Sequence, residues 1–297
     1  MLRFIALWLL VRVFGRLPAR VLYVAADGVG TLVWYAAPRL RRTTRDHMRH
    51  AIDGDPRAVE RAARGCVRNA ARYYADFARA SHLSPAAAFA EIEEFEGVDR
   101  FFEAYDRGCG VVLVSAHLGN PEYLFRAASF LGFEMLVLTE PLSPPRVHEL
   151  VHAVRNVPGV RFTAADMRGA REALTTLRAG GVAAVLGDRD IQRNGRSVPF
   201  FGERTTLPTG PVELALRTNA TLMPVFGLRS GRGRYRIVFC PPLELQRTDD
   251  READVQAAMR VLVGALEDGI RRAPEQWFVL QPIWAGLPRP IGGMRTM

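Results

Sequence analysis

Apolar positions follow two different patterns on either side of residue 97. Before it, apolar stretches at 4–14 and 21–37 precede a segment, 56–82, whose apolar and small residues recur at helical spacing. After it, short continuous apolar runs such as 110–116 alternate with segments of helical periodicity. Continuous β-branched runs are typical of strands covered on both faces, so the second part predicts a layered α/β fold.

The second part contains enough alternating elements for one sheet. The pattern predicts strands at 110–116, 134–138, 182–186, 221–228 and 235–240, and helices at 121–131, 147–155, 168–178, 210–218 and 253–272. Residues 230–233 (SGRG) predict a hairpin, so we expect one edge of the sheet to be antiparallel. The predicted α/β core, residues 97–297, is a mixed, mostly parallel sheet flanked by helices. Residues 1–96 are predicted to form a helical element packed on it.

The predicted N-terminal element has the composition of a membrane-contacting surface. Its apolar stretches contain Trp34 and Tyr35, and the second is followed by a basic run, Arg39, Arg41, Arg42 and Arg45. The first stretch is interrupted by Arg12 and is shorter than the ~20 residues that a spanning helix needs. We expect the element to bind the anionic cytoplasmic face of the inner (plasma) membrane, peripherally or monotopically. The alternative is an ordinary buried helix pair with a solvated arginine edge.

Composition excludes several chemistries. All 40 basic residues of this 297-residue chain are arginine, which rules out a Schiff-base lysine, a P-loop lysine and a Ser-Lys dyad. The three cysteines are far apart and form no CxxC pair, which fits a reducing compartment. A formal net charge of +9 leaves a basic membrane-binding or nucleic-acid-binding protein as an alternative, although the arginines are dispersed and often alternate with acids.

Residues 115–122 (SAHLGNPE) carry the best candidate for chemistry. His117 lies where the predicted strand ends, Asn120 can cap the next helix, and Glu122 falls in the first turn of that helix. A histidine at this place suits a general base, and we expect Glu122 to hold its tautomer. Gly119 lets a substrate approach the backbone, and we expect amides at the helix start to hold an oxyanion.

The segment lacks a recognisable protein nucleophile. Ser115 points to the same side as His117, but no GxSxG elbow surrounds it. A histidine–carboxylate pair without its own nucleophile suits direct transfer, in which the histidine removes a proton from a substrate hydroxyl as that oxygen attacks an acyl thioester.

The motif His-x-x-x-x-Glu in SAHLGNPE resembles the catalytic motif of the bacterial lipid A biosynthesis acyltransferase family. This family includes late lauroyl and myristoyl transferases and actinobacterial phosphatidylinositol mannoside acyltransferases. Further blocks come in the order of the family: VLGDRD (185–190), VPFFG (198–202), LPTGP (207–211), ATLMP (220–224) and PEQWFVLQPIW (274–284). The resemblance covers residues 97–285 well and the N-terminal third only in character.

The resemblance implies a glycerolipid-acyltransferase-like fold and transfer of a fatty acyl group to a membrane glycolipid. The donor would be acyl-CoA or acyl-carrier protein, and the acceptor a hydroxyl of a lipid resembling phosphatidylinositol mannoside or lipid A. Nucleic acid is not an expected partner, and no cofactor is implied beyond the acyl donor. His117 would be the base and Glu122 its acidic partner.

The resemblance also assigns supporting residues. Arg155 matches an arginine that helps to bind or polarise the donor. Asp188 falls where the mannoside enzymes carry a glutamate near the histidine, and Arg189 and Asp190 follow it in register. One departure is Pro121, which stands where many members have tryptophan.

A rival interpretation is a metal-dependent hydrolase that uses His117, Asp188 and Asp190. It predicts a bound metal ion and loss of activity with a chelator, whereas acyl transfer needs no metal ion, so we assign no metal ligands.

Overall fold

The computed structural model of the chain describes residues 2–52, 54–140, 142 and 144–284. The helices are α1 Leu2–Arg12, α2 Ala19–Ala36, α3 Pro38–Ala51, α4 Pro56–Ala80, α5 Pro85–Phe89, α6 Val98–Asp106, α7 Pro121–Leu131, α8 Pro145–Val154, α9 Met167–Arg178, α10 Gly210–Thr218 and α11 Arg251–Arg272. The strands are β1 Ile92–Glu96, β2 Val111–Ser115, β3 Met135–Thr139, β4 Val160–Ala164, β5 Val182–Leu186, β6 Arg196–Phe200, β7 Glu203–Leu207, β8 Thr221–Gly231 and β9 Arg234–Phe239.

Seven strands form one central sheet in the order β1-β9-β8-β2-β5-β3-β4. Strands β8, β2, β5, β3 and β4 run parallel to one another, whereas β9 is antiparallel to β8, and β1 pairs parallel with β9. The prediction of a mixed, mostly parallel sheet flanked by helices is confirmed. The antiparallel strand β9 was predicted to form the edge of the sheet. It lies one strand inside the edge, because β1 pairs with its other side.

The elements absent from the prediction are β1, β4, α6 and the β6–β7 hairpin. Strand β1 reads IEEFE and β4 reads VRFTA, and each forms an edge of the sheet. Edge strands have one open side and can carry charged residues, so they lack the continuous apolar run that identifies a central strand. Strand β1 also precedes the predicted boundary at residue 97. The division into two parts stays a prediction.

The central strand β2 separates two cores. Val112 and Val114 belong to the cluster that packs against α9, α10 and α11. Leu113, one residue between them, faces the opposite cluster with residues of α6 and α7. This alternation means that every second residue of β2 points to the α7 side, up to the end of the strand.

The N-terminal helices pack on the long helix α4. Gly30 of α2 lies against Arg68, whose Cα would be 2.7 Å from an added Cβ, so glycine lets the two helices approach closely. Asp27 of α2 accepts two hydrogen bonds from Arg72 of α4, at 2.6 and 2.9 Å. None of the described helices is long and apolar enough to cross a membrane.

Helix α11 docks on β8 at a glycine. A Cβ on Gly269 would lie 2.1 Å from the ring of Phe226, which is fully buried. Gly264, one and a half turns earlier on the same helix, has nothing within 4 Å of an added Cβ.

We therefore expect opposite effects of the same substitution at these two glycines. Gly269→Ala overpacks the contact with Phe226 and should lower the free energy of unfolding by about 1–3 kcal/mol. Gly264→Ala should raise it by about 0.5–1 kcal/mol, because alanine restricts the unfolded chain. Denaturant unfolding of both variants checks this; equal changes in the two would contradict the docking contact.

Candidate active site

The loop after β2 is built for one backbone geometry. Gly119 has a φ of 65°, and a Cβ there would lie 2.0 Å from the carbonyl oxygen of Gly227, so glycine is required. Asn120 then caps α7, since its Oδ1 accepts a hydrogen bond of 3.1 Å from the amide of Glu122. These two contacts fix the path of the chain directly after His117.

The side chain of His117 is held by Asp188. Nδ1 of His117 lies 2.8 Å from Oδ1 of Asp188, and the backbone amide of His117 donates to Oδ2 at 2.9 Å. The indole Nε1 of Trp277 donates to the same Oδ2 at 2.9 Å. Because the carboxylate accepts at Nδ1, the neutral imidazole carries its proton there and keeps the lone pair of Nε2 for a substrate.

Asp188 is fully buried, yet it stays ionised. Burial acts to raise the pKa of Asp188, but the imidazole of His117, its hydrogen bonds and the Trp277 indole together hold this pKa below its ordinary value. A buried carboxylate with three donors is therefore a fixed negative charge behind the imidazole.

The expectation that Glu122 holds the imidazole is corrected by these contacts. Glu122 is bonded instead to Arg155, with Nη2 at 2.6 Å and Nε at 3.0 Å, and accepts from the hydroxyl of Tyr73 at 2.9 Å. Sheet register supplies the physical reason. Ser115 of β2 pairs with Leu186 of β5, so the residues two positions further on, His117 and Asp188, lie opposite each other at the same edge.

Arg155 and Tyr73 surround Glu122 in a buried charged cluster. Burial acts to lower the pKa of Arg155, but the neighbouring Glu122 and Tyr73 raise it above its ordinary value. Burial and the Glu122 charge both raise the pKa of Tyr73. The Glu122–Arg155 ion pair and the Tyr73 hydroxyl tie α7 to the end of α8 and to α4.

The amides at the start of α7 are all used within the protein. Those of Leu118, Gly119 and Asn120 donate to the carbonyls of Ala116, Gln276 and Gly227, at 2.7, 3.1 and 2.7 Å. The next two amides, at 122 and 123, donate to Asn120, and residue 121 is proline. The expectation that these amides hold an oxyanion is therefore wrong, because they are already bonded to the loop itself, to β8 and to the segment after α11.

Arg189 and Asp190 are hydrogen-bonded to other residues than His117 and Asp188. Arg189 donates to Glu140 at 2.8 Å and lines the cavity described below. Asp190 accepts from the amides of Gly195 and Asn194, at 2.9 and 3.3 Å, and so caps a turn. Within the described ranges, no three His, Cys, Asp or Glu side chains are grouped to hold a metal ion. These contacts give no support to the set His117, Asp188 and Asp190 as metal ligands.

A second buried network, missed by the sequence analysis, supports the loop from behind. Asp76 of α4, with a fully buried side chain, accepts from Asn120 Nδ2 at 3.2 Å and from the hydroxyl of Tyr23. Arg229 of β8 donates to Asp76 and, at 2.9 Å, to the hydroxyl of Tyr235. The sequence signal for this network was an aspartate on the buried face of a predicted helix. Its partners could not be predicted, because they come from distant elements.

His117 borders a cavity of about 1240 Å³, and Asp188 lies behind it. His117, Glu122 and Arg155 line its polar part, and Arg39, Arg42 and Arg189 add positive charge. The apolar wall follows the α7 side of the sheet and includes Leu113, Ala127, Ala128, Phe133, Met135, Ala184 and Phe239. Helices α1 to α4 supply a further part of the wall, including Leu7, Val33, Tyr74 and Phe77.

These features define a class of protein: an α/β fold with a histidine–aspartate pair at the carboxyl ends of neighbouring parallel strands, beside a large, mainly apolar cavity. The family model for the bacterial lipid A biosynthesis acyltransferases matches residues 2–285, and the chain belongs to that family. This confirms the resemblance read from the sequence.

Relatives of known name include phosphatidylinositol mannoside acyltransferases. The chain is similar to the one from Mycobacterium tuberculosis, with 31% identity over 193 residues, which is 63% of this chain and 58% of the relative. It is similar to the one from Mycolicibacterium smegmatis, with 30% identity over 214 residues, 63% of this chain and 60% of the relative. The chain thus spans less than two thirds of the length of these curated relatives.

Asp188→Asn should remove catalytic activity while preserving the fold. The backbone amide of His117 and the Trp277 indole would orient the asparagine oxygen toward themselves, which turns its NH₂ group toward Nδ1. The neutral imidazole would then carry its proton on Nε2, which would leave that nitrogen unable to accept a substrate proton. We expect a loss in kcat of about 10⁴-fold, by analogy with the same change in a serine-protease triad. Steady-state kinetics and circular dichroism check this; near-normal turnover would contradict the tautomer assignment.

Glu122→Gln should act on stability through Arg155. It leaves a buried guanidinium without its counter-charge, so we expect the free energy of unfolding to fall by about 3 kcal/mol. The double variant Glu122→Gln/Arg155→Met should lose less than the sum of the two single variants, as denaturant unfolding would show. Additive losses would contradict a direct ion pair.

Proposed function

We propose that the chain is an O-acyltransferase that moves a fatty acyl group from a thioester to a hydroxyl of a membrane glycolipid. The donor is acyl-CoA or acyl-carrier protein, and the acceptor resembles phosphatidylinositol mannoside or lipid A. Membership of the family and the mannoside acyltransferases among its relatives support the reaction class. The observation that carries the proposal is His117, held by the buried Asp188, on the wall of a large, mainly apolar cavity.

In the proposed mechanism, His117 is the general base. Its Nε2 takes the proton of the acceptor hydroxyl as the oxygen attacks the thioester carbonyl carbon. The fixed charge of Asp188 stabilises the imidazolium that forms. When the carbon–sulfur bond breaks, the thiolate leaves and the proton returns from Nε2 to the sulfur. The protein needs no nucleophile of its own in this route.

The apolar part of the cavity suits the acyl chain. Its wall extends from the strand ends near His117 toward Phe133 and Met135 at the opposite ends of the strands. A strand of five residues spans about 16 Å, which is long enough to shield most of a fatty acyl chain from water. Each buried methylene contributes about 0.8 kcal/mol to binding.

We propose that α1 and α2 bind the membrane surface. Leu22, Ala26, Gly30 and Trp34 of α2 are buried, whereas the opposite face exposes Val21, Val24, Leu32 and Tyr35. In α1, Ile5, Trp8 and Leu9 are exposed as well. A contiguous exposed apolar face bordered by arginines is typical of surfaces that lie in the lipid interface. Because α1 to α4 also line the cavity, docking there brings the lipid acceptor to His117 at the cytoplasmic face of the membrane.

Positive charge at the cavity suits the anionic partners. Arg39 and Arg42 line the cavity between α2 and the sheet, and Arg189 lines it from the end of β5. Guanidinium groups bind phosphate with paired hydrogen bonds. Both proposed donors and both proposed acceptors contain phosphate, so these arginines are the candidates for holding them.

His117→Ala should abolish acyl transfer and leave the fold intact. Purified wild type and variant would be incubated with acyl-CoA and, in separate reactions, with phosphatidylinositol mannoside, a lipid A precursor and a lysophospholipid. Products would be measured by mass spectrometry. We expect transfer to a glycolipid by the wild type and a loss of several orders of magnitude in the variant.

The matched control is His148→Ala, which changes a histidine of α8 outside the cavity and should keep full activity. Undiminished turnover by His117→Ala would contradict the mechanism. Release of free fatty acid without transfer to any of the acceptors would favour a hydrolase instead.

Leu32→Glu should weaken binding to anionic phospholipid vesicles. Leu32 is 67% exposed on the apolar face of α2, so a carboxylate there opposes both apolar insertion and the negative surface. The control is Val261→Glu on α11, where an exposed valine lies outside the proposed face. Co-sedimentation should drop for the first variant and stay unchanged for the second; an equal effect of both would contradict this surface.

A further inference from the structure

We propose that the hydroxyl of Ser115 is a catalytic hydrogen-bond donor to the thioester oxygen, and this inference rests on the acyl-transfer function proposed above. Ser115 is the last residue of β2 and is 4% exposed. Its Oγ is buried and has no hydrogen-bond partner among the described residues. A buried hydroxyl without a partner loses the hydrogen bonds it made in water, so the protein retains it at a cost unless a ligand satisfies it.

The position of Ser115 places this hydroxyl beside the reaction. Leu113, Ser115 and His117 are alternate residues along β2 and its continuation, and all three line the large cavity. The intervening residues, Val112, Val114 and Ala116, belong to the core on the other side of the sheet. Ser115 therefore lies one step below His117, between the catalytic imidazole and the apolar wall that suits the acyl chain.

The spacing fits a thioester carbonyl between the two side chains. Two residues along a strand span about 6.6 Å. In this arrangement the acceptor hydroxyl donates to Nε2 of His117 and faces the carbonyl carbon of the thioester, whose oxygen accepts a hydrogen bond from Ser115. Both hydrogen bonds are about 2.8 Å long, and the reacting carbon lies between them. A carbonyl held in this way would direct the acyl chain past Ser115 and along Leu113 into the apolar part of the cavity.

Most other hydrogen-bond donors near His117 are already bonded within the protein. The backbone amides of residues 117–120, 122 and 123 are all bonded within the protein, and residue 121 is proline. The hydroxyl of Tyr73 donates to Glu122, and so do Nε and Nη2 of Arg155. Arg189 retains an unbonded Nε, but it is held at its other end by Glu140 and suits the phosphates better than the carbonyl. Ser115 is the remaining neutral donor on the strand that carries His117.

In the reaction, attack by the acceptor oxygen forms the new carbon–oxygen bond and moves the carbonyl π electrons onto the thioester oxygen. Nε2 of His117 takes the acceptor proton, and the oxyanion accepts a hydrogen bond from Ser115, which keeps its own proton. Collapse restores the carbonyl and breaks the carbon–sulfur bond, and the imidazolium protonates the departing thiolate. Ser115 thus stabilises the charge that develops in the transition state and stays chemically unchanged.

The test is Ser115→Ala in the full-length protein, with acyl-CoA and whichever glycolipid the wild type acylates. We expect kcat to fall about 10²–10³-fold with KM nearly unchanged, as for loss of one oxyanion donor. The midpoint of denaturant unfolding should stay the same or rise, because the substitution removes a buried hydroxyl without a partner. Ser115→Thr, which restores the hydroxyl, should recover most of kcat. Ser129→Ala, on α7 outside the cavity, is the control and should resemble the wild type.

Three results would overturn the inference. The first is that the wild type is active and Ser115→Ala either is equally active or differs from it only in KM. The second is an equal loss in the alanine and threonine variants, which would follow packing rather than the hydroxyl. The third is an increase in intact mass by one acyl group on Ser115 after incubation with acyl-CoA alone, which would make the serine a nucleophile. Absence of transfer by the wild type with every acceptor would instead refute the proposed function.

Discussion

The structure of the candidate active site depends on the hydrogen bonds made by the buried carboxylate of Asp188. This carboxylate accepts three hydrogen bonds, from the backbone and the ring of His117 and from the indole of Trp277. A buried charge is tolerated only when it is fully paired, so the three segments must meet at this point. Phe278 adds a hydrogen bond to the carbonyl of His117, and Cys66 of α4 donates to the carbonyl of Trp277. The loop after β2, the end of β5 and the segment after α11 are thereby fixed together.

A second buried aspartate links this region to the N-terminal helices. Asp76 joins Tyr23 of α2 to Asn120, the cap of the helix that follows His117, and to Arg229 in the sheet. The exposed apolar face of α2 is therefore attached to the same rigid loop as the imidazole. In the function proposed above, this arrangement keeps the membrane-binding helix and the proposed base in a constant relative position.

Local signals in the sequence predicted the local structure. The apolar run before His117 and the Asn120-Pro121 start gave β2 and α7 almost to the residue, since strand propensity and helix capping act within a few positions. The partner of His117 depends instead on which strand lies beside β2 and in what register. Glu122 was favoured because it is near in sequence, whereas Asp188 is 71 residues away and is brought close by the β2–β5 pairing. Trp277 and Asp76 were missed for the same reason: their roles exist only once distant elements pack.

The most direct test of the account is the protonation of the two ring nitrogens of His117, read from ¹⁵N chemical shifts of selectively labelled protein. In the neutral ring we predict a proton on Nδ1 and an unprotonated Nε2, with the reverse tautomer in Asp188→Asn. A proton on Nε2 in the wild type, or an unchanged tautomer in the variant, would contradict a histidine held by Asp188 as the base.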